Sequence, residues 1–189
     1  MAIVAITGDI GAGKSTVSRL LADSLACPLL DADKITAELW QAKSVKSIFI
    51  SRWGKEILDS SGDIIKSEIS RRIFNNPDEY KFCNSILHPL VMNELRIKTE
   101  APGIKDYVLE IPLLFEAGRA IFIDKVIYVT ASFEIRAQRC FEQRGWNVKE
   151  LKRRESFLMP RKEKISLSDF VIYNNGTLEA LKEKVRKLN

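Results

Sequence analysis

A glycine-rich turn between a buried strand and a helix constrains this chain more than any other feature. Gly8-Asp9-Ile10-Gly11-Ala12-Gly13-Lys14-Ser15-Thr16 completes the P-loop spacing, with four residues between two glycines and then Lys and Ser. The residues before it, Ala2-Ile3-Val4-Ala5-Ile6-Thr7, form a continuous apolar run, as expected of a strand covered on both faces. After it, Val17, Leu20, Leu21 and Leu25 recur at helical spacing. A strand, a tight glycine turn and a helix in that order predict a phosphate cradle: successive backbone N–H groups and the helix N-terminus converge on one anion.

The residue types of the loop assign the ligands. Gly11, Ala12 and Gly13 offer main-chain N–H groups, Lys14 reaches the β- and γ-phosphate oxygens, and Ser15 offers its hydroxyl to Mg²⁺. Thr16, one residue into the helix, is expected to offer its N–H to the α-phosphate. ATP is therefore the expected donor and Mg²⁺ the expected ion.

Strands and helices alternate along the rest of the chain. Cys27-Pro28-Leu29-Leu30 reads as a short strand ending at Asp31-Ala32-Asp33, with a helix from about Ile35; Tyr107–Ile111, Lys125–Val129 and Phe170–Tyr173 read as further strands. Between residues 35 and 99 only helical patterns occur, broken at Gly54, at Ser60-Ser61-Gly62-Asp63 and at Asn75-Asn76-Pro77-Asp78. The expected fold is α/β, a three-layer α/β/α P-loop NTPase fold on a parallel five-stranded sheet. Residues 1-34, 104-134 and 165-189 would form the nucleotide-binding core, 35-103 a helical acceptor-substrate insertion, and 135-164 an arginine-rich lid of two helices.

Open parallel sheets bind ligands at the C-terminal ends of their strands, which makes Asp31, Asp33 and Glu110 candidates by position. Glu110 closes its strand where P-loop proteins carry an acidic residue for the magnesium shell, acting through water. Asn174, Asn175 and Gly176 follow the last strand at the same edge, where similar kinases place a loop against the adenine ring. His88 is the only histidine; preceding Pro89, it is expected to be extended, with a structural or ligand-packing role. Arg136, Arg139 and Arg144 are lid candidates, because arginine stabilises charge spread over a transferring phosphoryl group. Arg153, Arg154, Arg161 and Lys162 read as a solvated basic face, and Trp40, Trp53 and Trp146 as apolar bulk.

Composition bounds the partners. The 189 residues suffice for one compact domain, and 30 basic against 25 acidic side chains give +5, which suits a polyphosphate ligand and is modest for nucleic acid. Cys27, Cys83 and Cys140 lack CxxC spacing, so a disulfide framework and a zinc site are not expected, and a reducing, cytoplasmic setting is. No signal-like segment or membrane-length apolar run is read, and a monomer or weak homo-oligomer is expected.

Taken together, the P-loop, Asp31-Ala32-Asp33, His88-Pro89, Pro112-Leu113-Leu114-Phe115-Glu116 and Asp169 to Asn174 resemble the dephospho-CoA kinase family, in that family's order. Gly62, Ile64, Lys66 and Ile73-Phe74 are also similar to its helical substrate region, with Lys66 where arginine is usual. The resemblance implies transfer of the ATP γ-phosphate to the ribose 3′-hydroxyl of dephospho-coenzyme A. It makes Asp33 the base, aided by Lys14 and Arg139, with Asp31, Lys66, His88, Pro112 and Leu113 on the acceptor side. Lys164 matches a family lysine, which implies a phosphate contact. Two positions depart from the pattern: Gln143 stands where a second lid arginine is usual, with Arg144 beside it, and Leu158 stands where glutamine is common. A kinase for another small acceptor, such as a nucleoside, nucleotide or sugar acid, and an ATP-binding module without turnover remain the alternatives.

Overall fold

The structure, a computed structural model, describes residues 2–188. Five parallel strands lie in the order β2-β3-β1-β4-β5: β1 (Ile3–Gly8), β2 (Leu29–Asp31), β3 (Tyr107–Glu110), β4 (Lys125–Thr130) and β5 (Phe170–Tyr173). All six residues of the central β1 are buried, and its alternate side chains enter two different cores. Ile3 and Ala5 pack with Tyr107, Leu109, Val126 and Tyr128 on one face, and Val4 and Ile6 with Val108, Ile127 and Val129 on the other. This period-two division explains why the strand's sequence is continuously apolar.

Helices complete the layers. The P-loop helix α1 (Lys14–Leu25) and the last helix, α10 (Leu178–Arg186), cover the second face through Val17, Leu21, Leu181 and Val185. The first face is covered by α2 (Ala32–Leu39), the long α5 (Pro77–Thr99) and the short α6 (Leu114–Ala117). A separate core lies beyond the sheet, where α3 (Lys43–Trp53), the 3-10 turn Lys55–Ile57 and α4 (Lys66–Ile73) close on Trp40, Phe49, Trp53, Ile57 and Ile69. After β4 come α7 (Phe133–Arg144), α8 (Val148–Glu155) and α9 (Arg161–Ser166). These are three helices where the sequence pattern suggested two.

Two local expectations give way to stronger terms. Helix α2 starts at Ala32 rather than near Ile35, because the Asp31 side chain accepts from the backbone N–H groups of Asp33 (2.8 Å) and Lys34 (3.3 Å). His88 is not extended: α5 runs through Pro89 without a break. A proline inside a helix costs about 3 kcal/mol. The apolar stripe Leu87, Val91, Leu95 continues past it, and each such buried side chain contributes about 1.5–3 kcal/mol, so packing outweighs the local preference.

Candidate active site

The glycines of the loop are where side chains could not go. Gly8 sits at φ 145, and a Cβ there would lie 2.0 Å from the Val129 carbonyl oxygen; at Gly13, φ 92, it would lie 2.5 Å from the Asn174 side-chain nitrogen. The loop thus runs pressed against β4 and the turn after β5, with α1 opening behind it at Lys14. Lys14 Nζ lies across its own loop, donating to the carbonyls of Gly8 (3.2 Å) and Asp9 (3.0 Å). Burial lowers the Lys14 pKa, and the charges of Glu110 and Asp33 oppose that shift. An anionic ligand would offset the same desolvation.

Strand register brings the carboxylates to this loop. Asp31 is paired with Glu110, and Glu110 with Ile6, so the ends of β2 and β3 lie level, beside the start of the loop. Ser15 Oγ donates to Glu110 Oε1 at 2.7 Å. Burial raises the Glu110 pKa, the Ser15 hydrogen bond opposes the rise, and Asp31 adds to it. Asp31 is occupied as the N-cap of α2, whereas Asp33, in the first turn, opens into the cleft. The Asp33 pKa is raised by desolvation first and by the Asp31 charge second, against Lys14 and Arg144.

Three cavities meet at Asp33. A polar one of about 390 Å³ is lined by Gly11, Gly13, Lys14, Ser15, Thr16 and Glu110, and by Arg139, Gln143 and Arg144 of α7. An apolar one of about 130 Å³ is lined by Leu87, His88, Val91, Ile111, Pro112 and Leu113. A third, of about 260 Å³, lies under α4 with Lys66, Ile69 and Ile73 on its walls. Asp33 lines all three, and Pro112 joins the first two. Burial lowers the His88 pKa against the charge of Glu116, and its buried Nε2 has no hydrogen-bond partner among the described residues.

The residues of α7 sort by what they touch. Arg139 donates to the carbonyls of Ala12 (3.3 Å) and Asn174 (3.2 Å), which holds its guanidinium at the edge of the cradle. Helix α7 ends after Arg144, where Gly145 takes the left-handed conformation (φ 67), and Gln143 and Arg144 both line the polar cavity. Arg136 is buried and pairs with Glu155, away from the cavity.

Several sequence readings are corrected here. Arg153 and Arg154 are not a solvated face. Arg153 donates to the Phe74 carbonyl at 2.7 Å; Arg154 donates to Ser70 Oγ at 2.9 Å and stacks on Trp146 and Phe74, tying α8 to the helical segment around α4. Lys164 is buried against Glu116 at 2.5 Å, with the charge that was expected to reach a phosphate already matched. Asn174 is buried and donates to the Ala12 carbonyl at 2.8 Å, and Asn175 accepts from the Ser132 N–H at 2.8 Å. Neither asparagine lines the polar cavity, and nor does Gly176.

Sequence reasoning missed Asp9. Nothing in the P-loop pattern marks that position, and its partners Tyr128 and Thr130 lie more than a hundred residues away.

The donor set can be tested against Mg²⁺. Among the described residues there is no cluster of three or more His, Cys, Asp or Glu able to hold a metal ion. What is present is one hydroxyl, Ser15, on a carboxylate, Glu110, whose pKa is raised chiefly by burial. That fits an ion held mainly by phosphate oxygens and waters, as Mg²⁺ prefers, and not a protein cage.

Comparison with known proteins follows the same lines. A family model described as dephospho-CoA kinase matches residues 2–180. A curated dephospho-CoA kinase from Fusobacterium nucleatum is 35% identical over 185 residues, covering 98% of this chain and 95% of the relative. A crystal structure of a Thermus thermophilus protein superposes with a TM-score of 0.79 at 32% identity, covering 99% of this chain and 95% of the other. A shikimate kinase from Acinetobacter baumannii shares the fold alone, with a TM-score of 0.57 at 18% identity, covering 100% of this chain and 90% of the other.

Proposed function

The chain belongs to the dephospho-CoA kinase family, and we propose on that footing that it moves the ATP γ-phosphoryl to the ribose 3′-hydroxyl of dephospho-coenzyme A, giving coenzyme A and ADP. The observation that carries the reading is the place of Asp33. It is a carboxylate with raised proton affinity on the shared wall of the polar cavity at the P-loop and the two cavities beside it.

Each residue then has a task. Asp33 accepts the hydroxyl proton as the new O–P bond forms and the bond from the γ-phosphorus to the β-bridging oxygen breaks. Main-chain N–H groups of Gly11 to Thr16 and the Lys14 ammonium hold the phosphates, and Arg139 meets charge developing on the transferred group. Ser15, with Glu110 acting through water, would hold Mg²⁺, which supplies charge neutralisation on the β- and γ-oxygens. Asp31 fixes the helix turn that aims Asp33. On the acceptor side, residues 35-103 form the insertion: its His88, with Pro112 and Leu113 of the core, offers an apolar wall, and its Lys66 a cation for the acceptor's own phosphates. Residues 135-164 serve as lid. Asn174 braces the P-loop from behind, and Asn175 and Gly176 stay the candidates for the adenine side. The three cysteines are free, and no helix among the described residues is long and apolar enough to cross a membrane. A cytoplasmic, monomeric or weakly associating enzyme with no nucleic-acid partner completes the reading.

The test is ADP release with a panel of acceptors. Dephospho-coenzyme A alone should stimulate it. Equal stimulation by nucleosides, nucleotides or shikimate would point to a different kinase, and tight ATP binding without stimulation by any acceptor would point to a binding module.

A further inference from the structure

Among the variable positions inside the P-loop, Asp9 turns a carboxylate inward. It is only 8% exposed. A buried negative charge beside a triphosphate cradle repels the ligand unless it is matched. Tyr128 and Thr130 on β4 each donate a hydroxyl to it at 2.5 Å. Burial and this bond raise the Tyr128 pKa, which keeps the phenol a donor. Arg136 of α7 lies 3.8 Å and Arg161 of α9 3.4 Å from the same carboxylate oxygen.

The contacts have a direction. The Asp9 carbonyl holds Lys14 Nζ at 3.0 Å, so one residue serves the cradle through its backbone and the lid through its side chain. Arg136 also donates to the carbonyls of Ala131 (3.2 Å) and Ile10 (3.3 Å), and it pairs with Glu155 at the end of α8. All three lid helices are thereby referred to one point in the loop. Arg139 lies one turn beyond Arg136 on the same face of α7, where it meets the Ala12 carbonyl. A rotation of α7 about its axis would swing Arg139 off the cradle.

We propose that Asp9 is a positioning residue for phosphoryl transfer: by holding α7 through Arg136 and α9 through Arg161, it keeps Arg139 over the phosphate cradle. The proposal rests on the reading above that Arg139 serves the transferred phosphoryl group. It accounts for a costly feature, a buried charge facing two arginines, that nucleotide binding by itself does not need.

A kinetic double-mutant cycle tests it, because two residues that act through one step are not additive. Asp9→Asn keeps the size of the side chain and removes its charge. It should lower kcat about tenfold and leave the ATP dissociation constant within about twofold, the signature of an interaction felt in the transition state. In an Arg139→Ala background the same substitution should cost less than about twofold. Arg161→Ala removes an exposed side chain without opening a cavity, and should behave the same way if Asp9→Asn lowers the melting temperature. Full multiplication of the two effects, or a change confined to melting temperature or KM, overturns the positioning role and leaves the function of Arg139 standing. Parental turnover by Arg139→Ala alone overturns both.

Discussion

A carboxyl that takes a proton from a ribose hydroxyl works best when its own proton affinity is raised toward the working pH, and desolvation together with the Asp31 charge does this to Asp33. On the proposed role of Asp33 as base, activity needs the deprotonated form, so kcat/KM should fall as pH drops through a pKa above the ordinary aspartate value of 3.8. A pH–rate profile checks this, and in Asp33→Asn that acid limb should be absent. The stability effect has the opposite sense. A group whose folded pKa is raised contributes stability that is present below the unfolded value and lost as pH rises through the folded one. Asp33→Asn should therefore melt at or above the parent at pH 7, with the difference closing near pH 4, as calorimetry would show. Gly8 is the contrasting case. Gly8→Ala places a Cβ 2.0 Å from a main-chain oxygen at φ 145, and should cost about 4 kcal/mol or more in a denaturant titration.

Among the elements, α8 is tied to the helical segment by Arg154, which bonds Ser70 and Glu150 and stacks on two rings. Arg154→Ala should raise KM for dephospho-coenzyme A several-fold more than KM for ATP, since the tether braces the proposed acceptor side. Steady-state kinetics with each substrate varied in turn would decide this. The same contacts show what the sequence could reveal. Strand β1, the P-loop and α1 were legible because their signals are local: apolar run, glycine spacing, helical period. Arg153 and Arg154 looked solvated because Ser70, Phe74 and Asn75 lie about eighty residues away and nothing in a charge run names such partners. His88 looked extended because the rule for residues before proline is local, while the packing of α5 that overrides it is not. Asp33 was legible as a carboxylate near a strand's C-terminal end, although it stands in the first turn of α2. Its place between three cavities needed the cap at Asp31 and the level ends of β2 and β3.

At the level of the whole molecule, a parallel sheet with its loops at one edge carries the proposed donor half, and the fold alone is shared with shikimate kinase at 18% identity. The proposed acceptor half rests on the separate core around Trp40, Phe49 and Trp53, which stands beyond the sheet and gives one wall to the cavity under α4. The division predicts separable defects. Leu95→Ala, in the sheet-facing core, should cost about 2–5 kcal/mol in stability with turnover per folded molecule retained. The central claim is that Asp33 is the base at the meeting point of donor and acceptor cavities. Single-turnover transfer from ATP to dephospho-coenzyme A, followed by the appearance of the 3′-phosphate, tests it most directly. Asp33→Asn should slow transfer by about 10²- to 10⁴-fold while ATP binds as in the parent. Transfer at the parental rate would contradict the account.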